Sequence, residues 1–179
     1  MTNSIFRSCV TSSAVLSAFA IGMPVQAATE SMGSQTEMIA PVVLTKTQDL
    51  DFGTIAPSNA NGRVTINART GARTGNANVT LIGTNGQRGL FSVTAEPGTT
   101  VNLTGQSGAI WLNGPGTARM RMVRFRVNRN NGGQRTLPRD YNIPASGTMT
   151  VGFGARLRVG ANQTPGSYSG TFDLTVEYQ

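Results

Sequence analysis

Histidine is absent from this 179-residue sequence, and cysteine occurs once, at Cys9. Without histidine the chain has no Ser–His relay and no imidazole metal ligand, and a lone cysteine cannot form an internal disulfide. Two aspartates, Asp49 and Asp51, would face solvent side by side, but no third catalytic group and no aromatic sugar platform accompanies them. These absences predict that the protein is not an enzyme and that it uses no cofactor and no metal.

Long apolar runs are also scarce, and none after residue 28 reaches membrane-spanning length. Residues 1–28 contain one basic residue, Arg7, then a mostly apolar stretch at residues 9–23 and small residues ending at Ala28. This pattern is typical of a secretory signal peptide, so we expect these residues to be removed on export to the periplasm and then to the cell surface or medium. A buried N-terminal helix is the alternative interpretation.

Acidic residues are few, with eight Asp and Glu against fifteen Lys and Arg, and the whole chain carries a net charge of +7. Loss of Arg7 with the signal leaves a charge of +6, and every remaining basic residue except Lys46 is an arginine. A charge of this size favours solubility and attraction to anionic surfaces, but it does not by itself indicate a nucleic-acid partner. No nucleic-acid partner is expected.

The mature sequence has no stretch with the 3.6-residue apolar period of a helix, and its apolar residues instead recur at every second position. The odd positions from Met149 to Val159 and the even positions from Tyr168 to Tyr178 are the longest examples. A first strand is predicted at residues 37–44, bent or at a sheet edge at Pro41. Turn residues, including many of the 22 glycines, separate about eight to ten such runs. The fold class predicted for residues 39–179 is therefore an all-β, antiparallel β-sandwich of immunoglobulin-like type.

The most charged run is "RMRMVRFRVNR", Arg119–Arg129, in which the apolar phase slips at Met122–Val123 and indicates a β-bulge. Its arginines would lie on the solvent side of the strand. They could form a cationic patch for an anionic polysaccharide, or they could simply keep an exposed sheet face or edge soluble. Aromatic residues that would stack bases are missing near these arginines, which favours the second interpretation. The candidate patch consists of Arg119, Arg121, Arg124, Arg126 and Arg129.

The last predicted strand has large apolar residues at alternate positions up to the penultimate residue, Tyr178. Such a strand needs a neighbour on both edges, because an unpaired edge beside apolar side chains invites another chain to pair there. The residues with this predicted pairing role are Gly166, Tyr168, Gly170, Phe172, Leu174, Val176, Tyr178 and Gln179.

Four segments carry a resemblance to known proteins: "LDFGTIAP", "GRVTI", "VGFGARLRV" and the closing "GSYSGTFDLTVEYQ". Over roughly residues 38–179 the chain resembles an uncharacterised family of secreted proteobacterial domains. That family is similar to the major subunit of Mat/Ecp-type fimbriae and more distantly to spore-coat-U-like pilins, and the spacing of Gly166 and Tyr178 resembles the terminal β-zipper of chaperone–usher subunits.

The resemblance implies a sandwich that lacks one strand. The gap would be filled first by a periplasmic chaperone, which would hold the carboxylate of Gln179, and after delivery to an usher by a neighbouring identical or related subunit. The implied donor is the N-terminal extension, residues 29–38 and their flanks, with the apolar residues Met32, Met38 and Ile39. The implied function is a structural or adhesive fimbrial subunit; the alternative is a stand-alone periplasmic or surface module that binds anionic polysaccharide through its arginine-rich strand.

Overall fold

The computed structural model describes residues 35–106 and 108–179, so the predicted signal peptide and Met32 lie outside the described residues. Met38–Gln179 form one compact unit. The described part of the chain contains thirteen β-strands and no helix, including none that could cross a membrane, and every strand pair is antiparallel. The strands are β1 Val43–Gln48, β2 Thr54–Pro57, β3 Gly62–Ile66, β4 Arg73–Gly75, β5 Val79–Ile82, β6 Gly89–Thr94, β7 Thr100–Gly105, β8 Ile110–Asn113, β9 Arg119–Arg129, β10 Gln134–Arg135, β11 Arg139–Asn142, β12 Thr148–Val159 and β13 Leu174–Tyr178.

The larger sheet has eight strands and is organised around β12. One edge of β12 pairs with β6 through residues 148–153 and then with β3 through residues 156–159, while its other edge pairs with β9. Strand β1 extends the sheet beyond β6, β4 extends it beyond β3, and β8 and β10 both pair with β9. Every second residue of β12, from Met149 to Val159, is buried, as the alternation predicts.

A smaller sheet of three strands, in the order β11-β7-β13, covers the inner face of the larger one. Side chains from both sheets, such as Leu103 on β7 and Val151 on β12, share a buried core cluster. A second cluster lies under β3, β8 and the end of β12, and the β2-β5 hairpin packs beside it. The predicted all-β antiparallel sandwich is therefore confirmed.

Two glycines on the outer face of β12 allow another part of the backbone to cross it. A Cβ atom added to Gly152 would lie 2.3 Å from the carbonyl oxygen of Ala68, and one added to Gly154 would lie 2.4 Å from that of Ile66. The segment after β3 therefore passes directly over these residues, and the side chain of Arg88 donates hydrogen bonds to the carbonyls of Ala68 and Arg69. Side chains on these two residues of β12 would push that crossing away.

The bulge predicted in β9 is present, but it lies slightly later than expected. The pairing with β12 skips between Val123 and Arg126, so Arg124 and Phe125 face the single residue Ala155. Arg124 has a φ of 56°, the left-handed conformation that bulges accommodate. Val123 consequently remains on the outer face, and the predicted position at Met122–Val123 was wrong by about one residue because apolar Val123 does not enter the core.

Both ends of the domain differ from the predicted strands. The first strand was expected at residues 37–44, but β1 begins at Val43, after Pro41, which has no amide hydrogen to donate. The last was expected at residues 168–178, but β13 covers only Leu174–Tyr178. Half-burial does alternate from Phe172 to Tyr178, so the period of two was correct although the ladder is shorter.

Candidate functional site

Strand β13 is paired along one edge. Its residues from Leu174 to Tyr178 pair with β7 from Gly105 back to Val101, and the N–H of Gln179 donates to the carbonyl of Thr100. Among the described residues no strand pairs with the opposite edge of β13. That edge therefore presents peptide groups on which another strand could add.

The free edge of β13 lies on the same side of the sandwich as β1, the edge strand of the larger sheet. Leu44 on β1 and Val176 on β13 pack against the same core cluster, yet both side chains are only partly buried. We call the line between these two edges the seam. It is closed at one end, where the Tyr178 hydroxyl donates to the carbonyl of Ala40 at 2.6 Å and accepts from the N–H of Glu96 at 2.9 Å.

At its other end the seam widens into a groove of about 670 Å³. Residues 49–55 form one border and residues 163–170 the other, while Leu112, Met122 and Leu157 form an apolar floor. In the first border, Asp51 exchanges backbone hydrogen bonds with Gln87, which does not line the groove. The groove is thus a channel with an apolar floor between two polypeptide borders that carry polar side chains.

The second border contains the glycine–tyrosine–glycine motif that the sequence singled out. A Cβ atom on Gly166 would lie 2.2 Å from Pro115, and one on Gly170 would lie 2.8 Å from the carbonyl oxygen of Trp111. Tyr168 lies against Gly114, where even a methyl group would collide with its ring. These close contacts explain the residue types of the motif: it attaches this border to the β8–β9 hairpin.

The Tyr168 hydroxyl fixes the shape of the same segment, because it accepts from Gln163 Nε2 at 2.7 Å and donates to the carbonyl of Thr164 at 2.6 Å. Between residues 165 and 172, Ser169 alone among the described residues exchanges backbone hydrogen bonds with another backbone, through its bridge to Asn113. The sequence predicted one continuous pairing strand over residues 168–178. The structure instead has a short anchored segment followed by β13.

Of the residues predicted to donate a strand, two are described. The side chain of Met38 is 91% exposed and that of Ile39 is 50% exposed. These are among the most exposed large apolar side chains of the described chain, and they immediately precede Ala40, where the seam is closed. Neither side chain is buried in the core of its own domain.

The predicted arginine patch is divided between two places. Arg119, Arg121 and Arg126 lie on the outer face of β9 and Arg124 lies on the bulge beside them, all exposed. Arg129 faces Val151, a core residue, and therefore lies on the inner side at the end of the sandwich. There it borders a shallow pocket with Arg135, Arg139 and Tyr141 instead of joining the patch.

The outer face of the larger sheet carries a row of arginines that the sequence did not reveal. Arg158 on β12 lies directly opposite Arg63 on β3 and also opposite Arg121 on β9. We call these three residues the arginine row. Like charges in directly opposed positions repel each other, and β3, β4, β8, β9 and β12 contain no Asp or Glu to offset them.

Two further arginines lie beside the row. Partial burial, and then the charges of Arg124, Arg63 and Arg158, lower the pKa of the Arg156 guanidinium below its ordinary value. A shallow depression of about 410 Å³ lies between β3 and β12, with Arg63, Arg156 and Arg158 among its lining residues. The outer face of the larger sheet is thus strongly cationic, and it contains a depression instead of being flat.

An exposed aromatic residue lies at one end of the row. Trp111 on β8 is opposite Arg121, and the guanidinium carbon of Arg121 lies 6.0 Å from the centroid of the indole ring. The ring is 51% exposed. The expectation that the arginines lack an aromatic neighbour was wrong, because Trp111 is ten residues from Arg121 in sequence and becomes adjacent only when β8 pairs with β9.

Comparison with protein-family models gives a match to residues 42–178, described as a domain of unknown function, DUF4402. The chain belongs to the DUF4402 family. The match includes the whole seam except Ala40, and all of the arginine row. Comparisons with curated proteins and with solved structures give no significant match.

In this DUF4402 domain the two aspartates considered above have structural partners. Asp49 forms an ion pair with Lys46 at 2.7 Å, and Asp51 accepts a hydrogen bond from the N–H of Gly53 at 2.7 Å. In the described ranges, residues 35–106 and 108–179, no three His, Cys, Asp or Glu residues are grouped as metal ligands would be.

The sequence contained a partial signal for the arginine row. Arg156 and Arg158 occupy the even, solvent-facing positions of the best alternating run, so their face could be deduced. Their neighbours could not, because β12 pairs with strands that are distant in sequence; Arg63 and Arg158, for example, are almost one hundred positions apart.

Proposed function

We propose that this chain is a structural or adhesive subunit of a fimbria-like surface polymer and that it takes up a β-strand from another chain. The observation that carries the proposal is the seam: within residues 35–106 and 108–179 one edge of β13 has no partner strand, and that edge leads into a groove with an apolar floor and two backbone borders. An added strand would bond to the free edge of β13 and place alternate side chains in the groove.

The proposed donor is the segment around residues 28–39 of a second copy. Met38 and Ile39 are large, apolar and exposed, as expected of side chains whose pocket lies on another molecule. The likeness of the closing motif to the terminal strand of Mat/Ecp-type and spore-coat-U-like subunits supports the same assignment. Export through a signal peptide, followed by a periplasmic chaperone and an outer-membrane usher, forms part of this proposal.

The expected affinity follows from burial. Each large apolar side chain that leaves water for the groove contributes about 1.5–3 kcal/mol, and the main-chain hydrogen bonds to β13 set the register. A chaperone strand would occupy the same edge before assembly and protect it from irregular association. The half-buried residues of β13 and of the segment before it would then become fully buried; these are Phe172, Leu174, Val176 and Tyr178.

The proposal is tested by supplying the donor within the same molecule. Residues 28–39 are appended to Gln179 through a flexible glycine–serine linker, and the exported protein is compared with the unmodified chain by thermal unfolding and size-exclusion chromatography with light scattering. We expect the fused strand to raise the Tm by at least about 5–10 °C, because even 1–2 kcal/mol moves the Tm of such a domain by several degrees.

The matched control carries the same linker and segment with Met32, Met38 and Ile39 replaced by serine. This control is expected to leave the Tm within about 1 °C of the parent, because serine gains little from the groove. If the apolar and serine segments give the same Tm, or if the unmodified chain is a monomer whose Tm neither segment changes, the strand-exchange proposal is overturned.

A further inference from the structure

We propose that the arginine row, together with Trp111, is a binding site for an acidic polysaccharide. This inference goes beyond strand exchange and uses different residues. The row lies on the outer face of β3, β12 and β9, whereas the seam lies between the edges of β1 and β13. Either proposal can therefore fail without the other.

Protection of a sheet edge does not explain the row. Charged residues on edge strands prevent accidental pairing, but Arg158 lies on β12, which is paired along both edges through β3 and β9. Solubility does not explain it either, because the same face of β12 is kept polar at Thr148 and Thr150 without any charge. The placement of three mutually repelling arginines therefore needs another explanation. A polyanionic ligand that relieves their repulsion provides one.

The geometry fits a chain of acidic sugars. Neighbouring strands lie about 4.8 Å apart, so Arg63, Arg158 and Arg121 spread their guanidinium groups over about 10 Å across the strands. Each guanidinium can hold a carboxylate or sulfate through two parallel hydrogen bonds. The acids of the described chain lie on other elements, and the one ion pair there joins Lys46 to Asp49, so these arginines are not neutralised by salt bridges.

Trp111 favours a polysaccharide over a nucleic acid. Its exposed ring, opposite Arg121, presents a flat apolar surface on which the C–H face of a pyranose can stack. Proteins that hold single-stranded nucleic acid stack several successive bases on a series of aromatic residues. The row has one exposed aromatic residue at one end, which suits a single sugar contact followed by three acidic contacts.

The experiment uses the exported protein and three probes: polygalacturonate, neutral dextran and a single-stranded oligothymidylate of similar charge. Trp111 is the only tryptophan in the chain, so its emission reports contact at this end of the row. We expect polygalacturonate to shift that emission and to bind more weakly as salt increases, while dextran does neither. A charge-reduced variant, Arg63→Gln/Arg121→Gln/Arg158→Gln, is expected to lose about tenfold or more in affinity.

The matched control removes the same number of charges elsewhere, through Arg129→Gln/Arg135→Gln/Arg139→Gln in the pocket beside Tyr141, and is expected to change the affinity by less than about twofold. Trp111→Leu has no tryptophan, so its binding is measured by titration calorimetry; it is expected to bind polygalacturonate more weakly without a change in Tm. If the triple variant of the row unfolds, Arg158→Gln alone still tests the row and is expected to lose about threefold in affinity.

Three outcomes would overturn the inference. Equal losses in the two triple variants would mean that only net charge matters. Binding of oligothymidylate that equals or exceeds that of polygalacturonate, with the same dependence on the row, would assign the face to nucleic acid. Self-association through this face, detected as a dimer that Arg158→Gln dissociates, would assign it to a second copy of the protein.

Discussion

The ring of Phe172 stacks on the ring of Phe153, with centroids 4.2 Å apart and planes inclined by 11°. Phe153 belongs to β12 of the larger sheet, while Phe172 lies just before β13 of the smaller one. Phe172 also makes an edge contact with Phe91, with centroids 6.1 Å apart. It therefore marks the point at which the closing segment passes from one sheet to the other, and it borders the groove.

We predict that Phe172→Ala lowers the free energy of unfolding by about 2–3 kcal/mol, because it removes both aromatic contacts from a partly buried site. Urea-induced unfolding measures the change. Thr171→Ala, at the exposed neighbouring position, is the control and is expected to change stability by less than about 0.5 kcal/mol. A loss of less than about 1 kcal/mol for Phe172→Ala would show that this ring does not join the sheets.

We predict that Gly154→Ala destabilises the domain by about 2 kcal/mol or more, because the new Cβ atom would lie 2.4 Å from the carbonyl oxygen of Ile66. Gly108→Ala is the control, since a Cβ atom there would have no neighbour within 4 Å. Thermal unfolding of both variants distinguishes them. Equal Tm values would contradict the crossing of the backbone over β12.

Two tyrosines should respond in opposite ways to loss of the hydroxyl. The Tyr141 hydroxyl is buried and has no hydrogen-bond partner in the described chain, so Tyr141→Phe should leave stability unchanged or raise it. The Tyr168 hydroxyl makes two hydrogen bonds, so Tyr168→Phe should cost about 1 kcal/mol. Urea-induced unfolding at neutral pH measures both, and a clear loss for Tyr141→Phe would contradict the structure.

Tyr141 should also make stability sensitive to alkali. Burial raises the pKa of its hydroxyl above the ordinary value of 10.0, although Arg139, Arg135 and Arg129 oppose the shift. The folded state therefore keeps the proton longer than the unfolded chain, and its advantage is complete below the unfolded pKa and lost as the pH rises through the folded pKa. Above about pH 10 the wild type should lose stability faster than Tyr141→Phe; parallel profiles would contradict this.

We predict that Arg158→Thr stabilises the isolated domain by about 0.2–1 kcal/mol at low salt, because it removes the central charge of three opposed arginines. The gain should shrink as added salt screens the repulsion. Arg158→Lys, which keeps the central positive charge, is the control and should show neither the gain nor its salt dependence. Chemical unfolding at low and high salt gives both numbers. A loss of stability at low salt would contradict the prediction, because it would mean that attractive contacts of the Arg158 side chain outweigh its repulsion by Arg63 and Arg121.

The alternation of apolar residues was sufficient to predict the fold class, because each long run has one buried face. The run from Met149 to Val159 became the central strand, and Arg119–Arg129 became β9 with its bulge. Strand ends were less predictable. At residues 168–172 the sequence alternates, yet the close fit of Gly170 against Trp111 holds the chain on the β8–β9 hairpin instead of on β7.

The candidate sites were predictable only where they lie within one strand. The seam was anticipated from β13 alone, since its alternating residues reach the end of the ladder. The arginine row was not, because its members come from three strands and Trp111 from a fourth. Arg129 was misplaced for a different reason: it was grouped with the outer-face arginines, although after the bulge it lies two residues beyond the inward-facing Val127 and therefore faces the same way.

The crossing at Gly152 and Gly154 gives the outer face of the sandwich a step about one polypeptide thick. The crossing segment lies beside Arg156. Next to it are the uncovered parts of β3, β12 and β9, which carry the three opposed guanidinium groups. A long polymer that settled there would meet a wall if it ran parallel to the strands. It would therefore lie at right angles to the strands. Gly152 and Gly154 would thus determine the orientation of the bound polymer as well as the path of the loop.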